Sequence, residues 1–165
     1  MAHFAKIGMD NKVIDLVYIR NVDNIDPITG VEDEKFGLEH LKKNHGHECW
    51  VQYSQHTHCN THAQGRTPLR GNSPDVGWTY DSTKDAFIPP ESLKPAPSWI
   101  WDDDICWWKS PIDIPSDDTF TDEEKNGIIN EDGSWKVRPY YWQWSESKQE
   151  WTKTNVAYNY LDSDK

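Results

Sequence analysis

Between Gln52 and Asn72 the chain reads QYSQHTHCNTHAQGRTPLRGN, which gathers His56, His58, Cys59 and His62 in one short stretch. Imidazole nitrogens and a thiolate are donors that zinc takes in a tetrahedral set. A further group, His45, His47 and Cys49, lies just upstream. Extended backbone would aim His56 and His58 the same way, whereas a helical coil would align His58 with His62. The spacing matches no standard zinc module, because no Cys-x-x-Cys pair is present. A polar loop with ordinary hydrogen-bonded histidines is therefore the expectation, and a structural metal the sharper alternative. Catalysis is a third possibility, either as an open metal centre with Asp75 and Asp81 or with Cys59 as nucleophile and His62 as base. No signature such as His-Glu-x-x-His accompanies them, so an enzyme is not expected and no catalytic residue is assigned.

Other residues that could meet a ligand or partner are cationic or aromatic. Arg66 and Arg70 stand among Gly65, Pro68 and Gly71 in a shaped loop. In an acidic protein they are expected to pair with carboxylates across a subunit contact. Exposed tryptophans could stack on sugar rings, but a chain this poor in aliphatic residues needs most of its rings inside. Trp107 must face away from Trp108 on a strand, which makes it the expected partner-facing ring, with Trp142, Trp144 and Trp151 beside it as interface candidates. The acidic runs at 102–104, 116–124 and 130–134 lack the ligand order of an EF-hand and read as solvated turns.

The elements that must position these groups are mostly short strands. Phe4 to Ile7 and Val13 to Ile19 read as a hairpin around the turn residues MDNK. Glu32 to Lys43 is the one convincing helix, with acids in its first turn and lysines in its last, although Gly37 weakens it. A third strand follows from Cys49 to Tyr53. Beyond the histidines a pattern recurs: an aromatic, another two residues on, and a third seven residues later. The triplets are Trp78, Tyr80 and Phe87; Trp99, Trp101 and Trp108; and Trp142, Trp144 and Trp151. Residues two apart on a strand share a face, and a turn brings the third ring across, so each copy is expected to be an aromatic-stapled hairpin. The prolines at 89, 90, 95, 97, 111 and 115 favour extended joins.

Composition narrows the class. Only 35% of the 165 residues are hydrophobic, yet 13% are aromatic and ten are tryptophan, which argues for an ordered protein with a thin, ring-built core. A net charge of −11 disfavours nucleic acid as a partner. Neither a signal peptide nor a membrane span is recognisable, and three irregularly spaced cysteines fit reduced thiols better than a disulfide framework. The expected class is mainly β: a small hairpin-rich domain over residues 1–111, an acidic linker or arm over 112–139, and a C-terminal aromatic hairpin over 140–165.

The segments MAHFAKIGMDNKVIDLVYI, TPLRGNSPDVGWTYDSTKDAFIPPE and PSWIWDDDICWWKSPIDIPSD together resemble a family of short virion-associated structural proteins from tailed phages of marine bacteria, cyanophages especially. The similarity covers residues 1–20 and 65–117 well, residues 21–64 in layout, and the C-terminal third through its Trp-rich hairpin. Trp78 departs from the family's usual tyrosine, NSPDVG replaces a more aromatic approach to the hairpin, and the loop is richer in histidine than the usual Asn/Gly/Arg version. The resemblance implies a non-enzymatic component of the virion, assembled in the host cytoplasm, docking at the tail and fibre region or decorating the capsid. Other virion proteins and further copies of the same chain are the implied partners. Zinc or iron at the histidine loop stays open, iron by analogy with phage spikes that hold it between His-x-His pairs. The rival reading is a glycan-binding module of an adsorption fibre, with host surface glycan as partner.

Overall fold

Both faces of the first sheet are covered: along its central strand Ala2 and Phe4 join one buried cluster, and Ala5 and Ile7 another. In the computed structural model, which describes residues 1–137 and 139–155, strand β1 (Ala2–Ile7) pairs antiparallel with β2 (Val13–Ile19). Asp10 and Asn11 carry the turn between them at positive φ. Helix α1 (Glu34–His45) is capped by Asp33, whose carboxylate accepts from the Lys35 amide, and ends at Gly46 in the left-handed conformation. Strand β3 (Trp50–Tyr53) then returns to the other side of β1, giving the order β2-β1-β3. Helix and sheet meet over Phe4 and Leu41, both wholly buried. Gly37, which weakens the helix on propensity alone, has a packing reason: a Cβ there would lie 2.2 Å from Asn24 Oδ1 and 2.4 Å from Phe4 Cζ. The helix can approach this closely only without a side chain.

A two-residue turn joins β4 (Thr57–His58) to β5 (Thr61–His62), with Cys59 and Asn60 both at positive φ, the geometry that matches the twist of a short hairpin. Strands β6 (Thr79–Asp81) and β7 (Ala86–Ile88) form the next hairpin, and β8 (Ile100–Asp102) and β9 (Trp107–Lys109) the one after. Farther on come the five-residue helix α2 (Asp122–Asn126), the small pair β10 (Ile128–Ile129) and β11 (Trp135–Val137), and the longest hairpin, β12 (Tyr140–Ser145) with β13 (Glu150–Asn155). Mainly β, hairpin-rich architecture with one principal helix is what the composition and patterning lead one to expect. No helix among the described residues is long and apolar enough to cross a membrane.

Contacts divide the chain into two units: Met1–Pro95 with Trp101–Lys109, and Ala96–Ile100 with Ser110–Lys165. In the first, Ala5, Ile7, Val13, Tyr53, Trp78 and Phe87 form one buried cluster. Residues 112–137, within the stretch expected as an acidic linker or arm, carry α2 and the β10–β11 pair. Thr121 and Glu124 close a reciprocal capping box at the start of α2, which satisfies two otherwise orphaned amides. In the second unit the Trp142 ring sits 5.0 Å from Phe120, and Lys153 reaches both carboxylate oxygens of Glu124 at 2.9 Å. Residues 156–165, the end of the expected C-terminal hairpin, lie outside the described residues.

The triplet repeat is a structural repeat down to its turns. Its paired rings are Tyr80 with Phe87 at 5.1 Å, Trp101 with Trp108 at 5.6 Å, and Trp144 with Trp151 at 5.4 Å. Each hairpin holds one non-glycine residue at positive φ two positions before its third ring: Asp85, Cys106 and Gln149. That conformation costs roughly 1–2 kcal/mol per residue. In two copies the side chain of that residue folds back onto a carbonyl of its own turn, Cys106 Sγ toward Asp103 and Gln149 Nε2 toward Glu146. Asp85 instead accepts from the Tyr80 hydroxyl. The residue after the second ring shapes the turn: Asp81 Oδ1 accepts from the Thr83 amide and Asp102 Oδ1 from the Asp104 amide, both at 2.9 Å, while in the third copy the Ser145 hydroxyl pairs with that of Ser147 at 3.4 Å. Hydrogen bonds to the ionised form hold the Asp81 carboxyl below its ordinary range, the Thr83 hydroxyl contributing most.

Candidate functional site: the histidine loop and its polar cavity

The strand β3 ends at Tyr53, and the chain turns at once, the Thr57 amide bonding back to the Ser54 carbonyl. His56 therefore sits in a turn and not on extended backbone. Its ring stands 5.7 Å from His62, while His58, on the strand β4, lies 4.9 Å from the Trp107 ring. Cys59 occupies the hairpin turn, and burial pushes its thiol pKa up. The four residues considered as one metal set are thus not gathered at one point. Among the described residues no group of three or more His, Cys, Asp or Glu side chains is arranged to hold a metal ion.

Hydrogen bonding assigns a tautomer to His62. Its Nδ1 accepts from the Gln64 amide at 3.1 Å, so the neutral ring carries its proton on Nε2, 3.3 Å from Ser54 Oγ. The ring donates to that hydroxyl. A general base must do the reverse, so this Ser–His pair is arranged as a structural hydrogen bond and not as an activated nucleophile. Cys59 Sγ makes no such bond to any described residue, and burial raises its thiol pKa.

What the loop does hold is a set of buried polar staples. Asn72 is wholly buried. Its Oδ1 accepts from the Cys59 amide at 2.9 Å, and its Nδ2 donates to the carbonyls of Phe87 at 3.1 Å and Cys106 at 2.7 Å. One side chain thereby ties the β4–β5 turn to β7 and to the turn before β9. Gly71 beside it must lack a side chain, because a Cβ would fall 2.7 Å from Cys106 Sγ and the backbone is at φ +68. Arg70, also at positive φ, donates to the Gln52 carbonyl at 2.6 Å, to Glu34 Oε2 at 2.7 Å and to Asp85 Oδ1 at 3.1 Å. Glu34 in turn accepts from the Gln52 amide, so the outer edge of β3 is capped by one carboxylate and one guanidinium.

These observations correct two expectations. Arg70 pairs with carboxylates, but within its own chain; its side chain is only 13% exposed. Trp107 is not the outward ring: half-buried between His58 and Trp78, it packs against the main cluster, and Trp108 is buried as well. The tight turn before β9 lets both faces of this strand be covered. Arg66 is exposed. Trp142, Trp144 and Trp151 are half-buried, in contact with Phe120, with each other and with Trp99. The Trp151 indole donates to the Ile112 carbonyl and the Trp144 indole to Glu146. Of ten tryptophans, nine have described side chains, and none of the nine is exposed.

The loop also walls a polar cavity of about 620 Å³, which sequence reasoning did not anticipate. His3, His56, His62, Glu32, Gln64 and Arg66 are among its lining. His3 comes from β1, far away in sequence, and only the sheet order brings it here. Its pKa is lowered first by burial, then by the N-terminal ammonium and by His56. Compared with known proteins, the chain matches no family model, no curated protein and no solved structure.

Proposed function

We propose that this chain is a non-enzymatic structural component of a phage particle, acting as a rigid docking piece at the tail and fibre region or on the capsid. The observation that carries the reading is the use of the loop's chemically capable side chains as internal fasteners. Asn72, Arg70, His62 and Ser54 are all spent on holding neighbouring segments together. Three ring-paired hairpins of one design add stiffness from aromatic residues where aliphatic ones are few. The similarity of residues 1–20 and 65–117 to short virion-associated proteins supplies the setting. Large apolar side chains left outside, such as Ile28 at 92% and Met9 at 90% exposure, favour contacts with further protein surfaces or further copies of the chain.

The test is to purify particles from infected host cells and locate the chain in them by peptide mass spectrometry and by its density in the intact particle. The reading predicts a fixed copy number per particle that survives high-salt washing. A chain made during infection yet missing from purified particles would refute it. The rival in which tryptophans stack on host glycan finds less support, since no described tryptophan is exposed.

A further inference from the structure

The polar cavity beside the histidine loop has a different character from the stapled interior around it. Its carboxylates are partly committed: Glu34 to Arg70 and the Gln52 amide, and one oxygen of Glu32 to the side chains of Asn24 and Gln52. Arg66, by contrast, lines the cavity with no hydrogen bond or ion pair to any described residue. The side-chain amides of Gln55 and Gln64 both stand at the edge of His56, 3.3 and 3.4 Å from its Nε2. An opening of about 620 Å³ is of a size that takes a small organic ligand and not merely a few waters. One free guanidinium, amides, imidazoles and a carboxylate with one uncommitted oxygen form a mixed set. A neutral apolar ligand would leave them all unpaired at a cost.

We propose that this cavity binds an acidic sugar, a uronic acid residue one ring in size, with Arg66 clamping its carboxylate in the fork geometry that guanidinium favours. Glu32 accepts from ring hydroxyls, and Gln55 and Gln64 donate to them. The proposal stands on the cavity and its free cation, and it holds wherever in a particle the chain resides. The binding surface is thus a polar pocket in the first unit and not the tryptophan hairpins.

The experiment follows backbone amide NMR signals of the full chain during titration with sodium glucuronate and sodium galacturonate. Glucose, sodium acetate and N-acetylglutamate serve as comparison titrants at matched ionic strength. The proposal predicts saturable shifts at Ser54, His56, Gln64 and Arg66 with a uronate, and weaker or no shifts with the other three. Arg66→Ala should weaken uronate binding by about tenfold or more. Because Arg66 is exposed and makes no bond to any described residue, that variant should keep the unliganded spectrum of the parent, which separates lost binding from lost folding. Absence of saturable shifts up to about 50 mM uronate, far above even a millimolar site, would overturn the proposal. So would equal binding of N-acetylglutamate, which would mark the cavity as a seat for an acidic peptide side chain, or affinity unchanged in Arg66→Ala.

Discussion

The loop from Gln52 to Asn72 and the three aromatic hairpins reach order by opposite routes. The loop is built from polar side chains with particular partners: Asn72 bonds to three backbone groups, and Arg70 to two carboxylates and a carbonyl. The hairpins are built from ring pairs 5.1 to 5.6 Å apart, whose apolar contact tolerates a range of tilts, here 46° to 85°. A buried polar fastener leaves its partners unpaired when it is removed, so its loss costs more than its net contribution. A ring can be exchanged for a smaller ring and keep much of its contact. The loop should therefore be brittle and the hairpins tolerant.

The largest effect should come from Asn72→Ala, which strands one amide and two carbonyls in a closed interior. The expected destabilisation is about 3–5 kcal/mol, read as a fall in the urea midpoint. Asn72→Asp should not rescue it, because a carboxylate cannot donate to the Phe87 and Cys106 carbonyls. Next comes Arg70→Ala, which leaves Glu34 without its cation and uncaps the edge of β3. About 3 kcal/mol is expected, and Arg70→Lys should recover little of it, since one ammonium cannot serve three divergent acceptors. Combining Arg70→Ala with Glu34→Gln should cost less than the two separate losses added together. In the hairpins, Trp144→Ala should cost about 2 kcal/mol, below the range for a fully buried ring, and Trp144→Phe under about 1 kcal/mol. Equal costs for the two would mean that the ring contact contributes nothing, the whole loss falling on the indole hydrogen bond to Glu146 that both variants lack.

The smallest effect is on pH dependence. The folded state lowers the His3 pKa, through burial first and the N-terminal charge second. Folding then favours the neutral ring. The contribution is complete above the ordinary histidine range and is lost as pH falls through it toward the lowered value. The urea midpoint should decline slightly between neutral and mildly acidic pH, and His3→Gln should remove that part of the slope. A slope unchanged by the substitution would assign it elsewhere.

What could be read from the residues depended on how local the cause was. The aromatic triplets were legible because ring, turn and facing ring lie within ten residues, and the pairing needs nothing remote. The helix was legible from its charge asymmetry, with its ends displaced by two residues to Glu34 and His45. The capping box Thr121–Glu124 was equally local and went unread inside an acidic run taken as linker. The staples were not legible. Asn72 meets Cys59 and Cys106 across separations of 13 and 34 residues, and nothing near a lone asparagine announces a buried hub. Arg70 stands out by its charge, but the acidic balance points to a partner's carboxylate before it points to Glu34, 36 residues away. Neither an extended backbone, which would align His56 with His58, nor a helical one, which would align His58 with His62, survives the turn at Ser54. His3 belongs to the cavity only through the β2-β1-β3 order, a tertiary fact.

The histidine loop is a fixed part of the scaffold, pinned by Asn72. Amide hydrogen exchange of Cys59 in the intact chain tests that directly, because its N–H donates to the buried Asn72 side chain from an otherwise ordinary two-residue turn. Exchange slowed to nearly the rate set by global unfolding is expected, and exchange near that of an open turn in Asn72→Ala under conditions where the variant remains folded. Rapid exchange of Cys59 in the parent chain, at the rate of a free surface loop, would contradict it.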